Sequence, residues 1–526
     1  MAHMDLLVFD HVPTRSTWLS TADVPRRTAP FSLIHWLSRW ISGVTLVRCW
    51  MVLIVASAFV GMVRVLRAVR LPIAIGAGLL WALNPLLLTR LGVGHLGLAV
   101  AISLLPWTLT ALLEPTRSMG QIFLVGVAFG MCGYFGWWLS MPVLAVSLAR
   151  PASWRRRTGA LACAAAGHVW WVASALQTVG RVTEGATSQS FVPVTGNALG
   201  VLRLLVGHGF WQVPNQVGAR HLGVAVIAIV LVALAVVGRS ERPADVNGRL
   251  LAVAAIGLSV TLSPAVPGLR AVVHWVTDHP ALAGLREGQR LLALFVLPLL
   301  IGAAHGVDRV VEIAGSRTGI GRRSMIAGSG FAVAAAVLVG SAWWGLDGRL
   351  DVRPVPRGWA VLGRLGVEQG ALVALPWTQY YDVPLAGGAR THHPVPFVSS
   401  GDVIYSHDLG LRDGGSEGVD DREATVSRLV ADLAAGRQVA ALLGGLGVRW
   451  IAVDRRADPI VARSVGDLDG VVIESSDGDV LVVRILEWTE LRRRSPSVAV
   501  PGILLVATVL AALATTFLRR SGRHRL

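Results

Sequence analysis

Long apolar stretches separated by short polar segments run through most of this 526-residue chain. Eleven stand out, at 46–64, 71–89, 96–114, 121–134, 136–149, 159–179, 221–238, 250–263, 290–305, 324–344 and 499–518. Segments of about 18–22 such residues can cross a hydrocarbon core of about 30 Å. Backbone inside lipid has no water to bond with, so these spans are expected to be helices. Their steady run of Ala, Leu, Val and Gly is not the alternating pattern of a membrane barrel. The pair 121–149 holds Gly130, Gly133, Gly136 and Pro142, which fits either a tight hairpin or a broken, re-entrant helix.

Arginines cluster in every second gap and assign the two sides. The clusters are Arg64, Arg67 and Arg70; Arg150, Arg155, Arg156 and Arg157; Arg239, Arg242 and Arg249; Arg309, Arg317, Arg322 and Arg323; and the tail Arg519, Arg520, Arg523 and Arg525. The positive-inside rule puts these turns in the cytoplasm. The segments left outside are 1–45, the turn Arg90–His95, the loops 180–220 and 264–289, and 345–498. The first outer segment has no span before it: a first transmembrane helix is expected to be missing ahead of Met1, the alternative being a short tail translocated without help. Within 1–45, Phe31, Leu33, Ile34, Leu37 and Ile41 fall at the spacing of a helix lying flat on the membrane.

Between the last two spans the pattern changes. Residues 370–376 read as a buried strand, and 422–446 carries apolar positions at helical spacing with a break at Gly436. The strand 448–455 follows, then two strands joined by Ser-Asp-Gly-Asp, a hairpin signal. The expected fold is a polytopic α-helical membrane protein of about 11 spans with a small extracytoplasmic α/β domain near the C-terminus. It divides into an outer segment 1–45, a transmembrane core 46–345, the α/β domain 346–498, and a final helix with a basic cytoplasmic tail at 499–526. The expected location is the plasma membrane.

Composition adds to this picture. Hydrophobic residues make up 53% of the chain, and the mean hydropathy is +0.59. The chain contains no lysine, so all 48 basic residues are arginine. A net charge of +16 invites a nucleic-acid partner, but the distribution argues against one. Across 346–498, 17 arginines stand against 21 acids, and the surplus lies at span ends. Cys49, Cys132 and Cys163 all fall in apolar stretches and read as small buried hydrophobes. There is no Walker A motif, HExxH, paired CxxC or GxSxG. Ionisable residues inside spans are few, His168 being the main one, which counts against an ion-coupled transporter.

Four outer constellations hold candidate chemistry. Asp5 and Asp10, ahead of the first span, are either general-base candidates or solvated acids. Arg286, Glu287 and Arg290 lie at the outer end of a span. On a helix the two arginines would share one face and hold a phosphate, with Glu287 as a simple ion-pair partner in the alternative reading. Arg90 and His95 flank a glycine-containing turn; a snorkelling arginine would look the same. His208, Trp211, Gln212 and Asn215 suit sugar stacking and hydrogen bonding, or ordinary interfacial anchoring. The aromatics Tyr134, Phe135, Trp137 and Trp138 read as interface anchors.

The stretch WALNPLLLTRLGVGHLGLAVAISLLPW at 81–107 resembles large actinobacterial membrane proteins of the GT-C-like or YfhO-like type, glycosyltransferases of the arabinofuranosyl and mannosyl kind. LVFDHVP with PRRTAPFSLI, PALAGLREGQRLLAL, ALVALPW and LGVRWIAVD resemble further stretches of that family, in order. The resemblance implies sugar transfer from a polyprenyl-phosphate donor to a cell-envelope glycan or lipid on the outer face, with membrane lipids as surroundings and no cofactor or metal. Carried over by position, the family's base is Asp10 or Asp5, and Arg290 stands where the family carries a lysine. A rival of the same fold is a non-enzymatic envelope-lipid transporter or scaffold.

Overall fold

The computed structural model describes residues 2–3, 6–7, 33–34, 37–38, 40–113, 119–148, 154–176, 192–193, 198–210, 212, 215–218, 222–278, 282–314, 319–343, 345–351, 362, 370–383, 389–399, 402–408, 422–476, 478–491 and 499–523. Of the expected amphipathic helix at 31–41, residues 33, 34, 37, 38, 40 and 41 are described, and 33, 34 and 37 are helical.

The membrane portion is built from α1 (Gly43–Val65), α2 (Leu71–Ala82), α3 (Pro85–Gly92), α4 (Leu96–Leu113), α5 (Met119–Gly130), α6 (Tyr134–Leu148), α7 (Trp154–Ala166), α8 (Val169–Leu176), α9 (Ala198–Leu205), α10 (Leu222–Val237), α11 (Ala244–Leu262), α12 (Pro267–Asp278), α13 (Ala293–Ile313) and α14 (Ile320–Val339). Six helical stretches among the described residues are long and apolar enough to cross a membrane, and four more apolar helices are shorter. The protein is a multi-pass α-helical membrane protein.

Two ion pairs show which helix ends share a side. Arg70, ahead of α2, meets Asp308 of α13 at 2.6 Å. Glu241, after α10, meets Arg309 at 3.1 Å. Three of the arginine-rich turns therefore gather at one end of the bundle, as the threading from the positive-inside rule requires.

Small residues let the helices approach closely. Cβ atoms on Gly126 and Gly130 of α5 would run into the backbone at Ala164 and Gly167, where α7 gives way to α8. Gly306 of α13 likewise meets Leu234 of α10. Lipid gives helices no hydrophobic reason to associate, so such backbone contact supplies much of the packing. The segment 121–149 resolves as a tight hairpin, α5 and α6 joined by a turn with Gly133 at φ +63°. At 1.5 Å per residue, the 12 residues of α5 cover only about 18 Å, short of the hydrocarbon thickness.

One span is refined and one expectation corrected. The stretch 71–89 lies within a single segment long and apolar enough to span, Leu71–Gly92, but its helix is interrupted: α2 ends at Ala82 and α3 restarts at Pro85, whose missing N–H breaks the ladder. Cys49 is exposed on α1, whereas Cys132 is buried and Cys163 lies between. An exposed apolar side chain on a lipid-facing helix needs no protein cover.

The domain near the C-terminus has a five-stranded sheet of β3 (Ala371–Leu375), β6 (Asp402–Ile404), β7 (Val448–Asp454), β8 (Val471–Ser475) and β9 (Val480–Ile485), in the order β6-β3-β7-β9-β8. β3 pairs in parallel with β6 and β7, and β9 runs antiparallel to both β7 and β8. One face, including Val373, Ile451, Val453, Leu481 and Val483, packs on helices α15 (Glu423–Ala434), α16 (Ala440–Gly445) and α17 (Pro459–Gly466). The break at Gly436 falls between α15 and α16 at φ +78°. The other face, with Leu372, Ala374, Trp450, Ala452, Val480 and Val482, joins the same apolar core as the membrane helices. This two-period alternation is why β3 reads as buried on both sides. A separate hairpin, β4 (Tyr380–Val383) with β5 (Ala389–His392), projects from it. Beside β5 lies a small N-terminal hairpin, β1 (Ala2–His3) and β2 (Leu6–Leu7). A last helix, α18 (Ala499–Arg523), packs against α5 and α8.

Candidate substrate-binding site

The break at Asn84 sets the first half of the site. Asn84 caps α3 by accepting a hydrogen bond from the Leu86 N–H at 2.8 Å, and its amide donates to the Val206 carbonyl at 3.2 Å. Gly207, at φ +100°, lies against this amide; a Cβ there would strike Asn84 Oδ1. Thr89 Oγ1 accepts from the Val217 N–H at 2.9 Å. The 206–217 segment is thus fastened over α3, whose last turn carries Arg90.

Arg90 is fully buried. Its Nη1 lies 3.1 Å from His95 Nδ1. A guanidinium can only donate, so Nδ1 accepts and the imidazole proton sits on Nε2. Gly94, at φ +86°, makes the tight turn that returns His95 to Arg90. The Phe210 ring covers the guanidinium with its centroid 4.6 Å from Cζ, a cation–π contact in a water-poor setting.

The second half comes from Ala283–Leu292, a 3₁₀ segment leading into α13 and broken at Glu287 (φ −97°, ψ 54°). A 3₁₀ turn has about three residues, so positions three apart align. Glu287 and Arg290 accordingly pair, Nη2 to Oε1. This corrects the helical expectation that Arg286 and Arg290 share a face. Arg290 also donates to the Tyr134 hydroxyl at 3.0 Å and lies 4.8 Å from the Phe135 ring centroid. The other Glu287 oxygen is 4.0 Å from Arg90 Nη1. Thr261 of α11 holds the segment by donating to the Gly288 carbonyl at 3.2 Å.

Arg90, Glu287 and Arg290 are 0%, 4% and 5% exposed. Two cations and one anion leave a surplus of one positive charge. Nε and Nη2 of Arg90 have no hydrogen-bond partner among the described residues. Burying a charged donor without a partner is costly, so the arrangement favours an anion that enters and bonds to it. The site lies at the arginine-poor end of the bundle, since α11, whose start adjoins the Glu241–Arg309 turn, delivers Thr261 from its far end.

The structure brings Arg90, His95, Glu287 and Arg290 together across nearly two hundred positions. Arg286 is half-buried on the same segment. His208 is buried beside Gly218, where a Cβ would approach its Cε1 at 3.3 Å. Asp5, Asp10 and Trp211 lie outside the described residues. Three contributors were not expected: Tyr134 and Phe135, read as membrane anchors, and Phe210. A fourth is Arg349, which donates to the Asn215 carbonyl at 2.8 Å and reaches Gly92, beside Arg90.

The C-terminal domain closes over this region. Tyr380 of β4 shares an apolar cluster with Val93 and Phe210. Behind it, His392 packs edge-on to Tyr380 at 5.4 Å, and His393 lies 5.2 Å from Tyr381. Burial and the neighbouring His392 push the His393 imidazole down to about 3. Tyr381 donates to Asp454 at 3.4 Å, and burial raises both groups above their ordinary values.

No protein-family model matches this chain, and no curated protein does. Among solved structures, the arabinofuranosyltransferase AftD from mycobacteria aligns with a TM-score of 0.59 and 21% identity, over 87% of this chain and 35% of that one. A mutant of the same enzyme gives 0.58 and 21%, over 87% and 36%. The chain thus spans about a third of the length of the structures it matches. At this identity the likeness shows the fold alone, the fold of the aligned part of that mycobacterial arabinofuranosyltransferase.

Proposed function

We propose that the protein is a membrane glycosyltransferase that moves a sugar from a polyprenyl-phosphate donor to a cell-envelope glycan or lipid on the outer face of the plasma membrane. The observation that carries this reading is the buried Arg90–Glu287–Arg290 cluster, which among the described residues has a surplus positive charge and leaves two donors of Arg90 without a hydrogen-bond partner. A lipid phosphate is an anion that reaches such a depth without leaving the membrane.

In this reading the acceptor hydroxyl attacks the anomeric carbon, and the bond from that carbon to the phosphate oxygen breaks. The lipid phosphate leaves with the bonding electrons. Arg90 and Arg290 stabilise the negative charge that develops on it, in a site where few waters compete. Asp10, or failing it Asp5, takes the hydroxyl proton. The attack comes from the face opposite the phosphate, so configuration inverts. His95 holds Arg90 in place, and Glu287 orients Arg290 until phosphate displaces it. His208 and Trp211 belong to the sugar side, and the C-terminal domain positions the acceptor.

The test is transfer in nanodiscs, with polyprenyl-phosphate sugars as donors and envelope glycans as acceptors, read as release of polyprenyl phosphate. Turnover that persists in Arg290→Ala would sink the phosphate role. A second reading, a non-enzymatic lipid-binding or scaffold protein, is favoured by one observation: Glu287 already satisfies part of Arg290. Asp10→Asn separates the two. It removes the base of a transferase and leaves polyprenyl-phosphate binding unchanged in a scaffold.

A further inference from the structure

We propose that α12 is an interfacial helix whose outward face is embedded in lipid at the arginine-poor end of the bundle, beside the Arg90–Glu287–Arg290 cluster. The helix runs Pro267–Asp278 and is 12 residues long, too short to span. Its outward side presents Leu269, Val272 and Trp275, which are 47%, 55% and 77% exposed. Ala271 lies on the same side and is exposed as well.

At 100° per residue, Leu269, Ala271, Val272 and Trp275 fall on one broad face that contains no charge. Arg270 and His274 fall on the side away from that face, where Arg270 is exposed, His274 half-buried and Thr277 buried against the protein. A helix whose outer side met water would show the reverse order, with its charges outermost. Among the described residues the apolar side is the uncovered one, and it carries a tryptophan, the residue most at home where acyl chains meet headgroups.

The occupant follows from continuity with the lipid-facing belt. α12 begins immediately after the short turn Ser263–Ala265 that ends α11, a helix long and apolar enough to span. It also packs against the 283–292 segment that carries Glu287 and Arg290. The apolar face therefore continues the exposed surface of the spans at the level where a headgroup lies. Docking stands independently of the transferase reading. Its value as a lipid-side wall of the donor site rests on that reading.

The experiment uses the native chain in phosphatidylethanolamine–phosphatidylglycerol nanodiscs containing a trace phospholipid with a diazirine near the carbonyl end of one acyl chain. After photolysis, peptide mapping is expected to find adducts within 267–278, at Leu269, Val272 or Trp275, at a yield comparable to α10. In parallel, Trp275 is expected to be spared by hydroxyl radicals generated in the aqueous phase. Labelled α10 beside an unlabelled 267–278 overturns the proposal. If Trp275 is then oxidised, the face meets water; if it is spared, protein covers it.

Discussion

Glu287 stands between two buried arginines: one carboxylate oxygen pairs with Arg290 and the other lies 4.0 Å from Arg90 Nη1. Its charge is what makes the close placement of two guanidiniums tolerable when no anion is bound. Glu287→Gln keeps the size and removes the charge. Breaking a buried ion pair from one side costs about 3–5 kcal/mol, so the variant is expected to melt well below the wild type in nanodiscs. Adding polyprenyl phosphate should restore more stability to the variant than to the wild type, because the phosphate replaces the missing charge. Equal thermal shifts in the two proteins would show that the ligand does not bind between these arginines.

The two arginines of the 283–292 segment separate a local role from a general one. Arg290 is buried among Tyr134, Phe135 and Glu287, whereas Arg286 is half-buried and falls off the Glu287–Arg290 face. Arg290→Ala is expected to abolish stabilisation by polyprenyl phosphate and any transfer that depends on it. A charge-assisted pair of this kind is worth roughly 1.5–3 kcal/mol, or about tenfold to a hundredfold in affinity. Arg286→Ala is expected to change affinity less than threefold, under about half of the ~1.4 kcal/mol that a tenfold change represents. A titration in which Arg286→Ala does the greater damage would return the phosphate to the shared face that a regular helix would have made.

Asn84 ties the membrane helices to the segment above the site. Its side chain accepts from Leu86 and donates to Val206, and Gly207 fits against it without a Cβ. Removing a helix cap costs about 0.5–2 kcal/mol, and the Val206 carbonyl would be left buried without this donor. Asn84→Ala should lower the melting temperature and speed hydrogen exchange in 206–210. Asn84→Asp keeps the acceptor for Leu86 but replaces the donor with an oxygen that repels the Val206 carbonyl, so exchange in 206–210 should rise at least as much as in Asn84→Ala. If Asn84→Ala leaves exchange in 206–210 at the wild-type rate, the fastening is not what holds Phe210 on Arg90.

Much of this arrangement is legible in the sequence, and the gaps have physical causes. Hydropathy locates the helices because lipid enforces apolar runs of fixed length, and the Arg70–Asp308 and Glu241–Arg309 pairs fall where the arginine alternation places them. The continuous apolar run at 371–375 and the largely apolar 448–454 mark strands with two buried faces. Arg90, His95 and the 286–290 group stand out because positive charge at the arginine-poor end opposes the topology rule. What periodicity could not show is the geometry of 283–292. A 3.6-residue repeat pairs Arg286 with Arg290, and the 3₁₀ segment pairs Glu287 with Arg290 instead. Tyr134 was misplaced for a related reason. An aromatic at a helix end looks the same whether it faces headgroups or, as here, an arginine 156 positions away.

The His393 imidazole sits in the layer between the C-terminal domain and the site, and its titration ties that layer to pH. Nδ1 accepts from the Val395 N–H at 3.3 Å, an interaction only the unprotonated nitrogen can make. The groups around it are His392, which opposes a second positive charge, the Leu375 backbone, which favours one weakly, and the Tyr381 and Tyr405 rings. Burial dominates and lowers the folded pKa from 6.5 to about 3. The unfolded chain therefore takes up this proton first as pH falls. The stability that His393 contributes is fully present above about 6.5 and is lost progressively toward 3, at up to ~1.4 kcal/mol per pH unit. Hydrogen exchange in 389–399, corrected for intrinsic rates, should accelerate between pH 6.5 and 4 in the wild type. His393→Asn retains an acceptor for Val395 but cannot take up the proton, so its exchange should lie nearly flat over that range. Identical pH slopes in the two proteins would mean that another group governs the acid loosening of this layer.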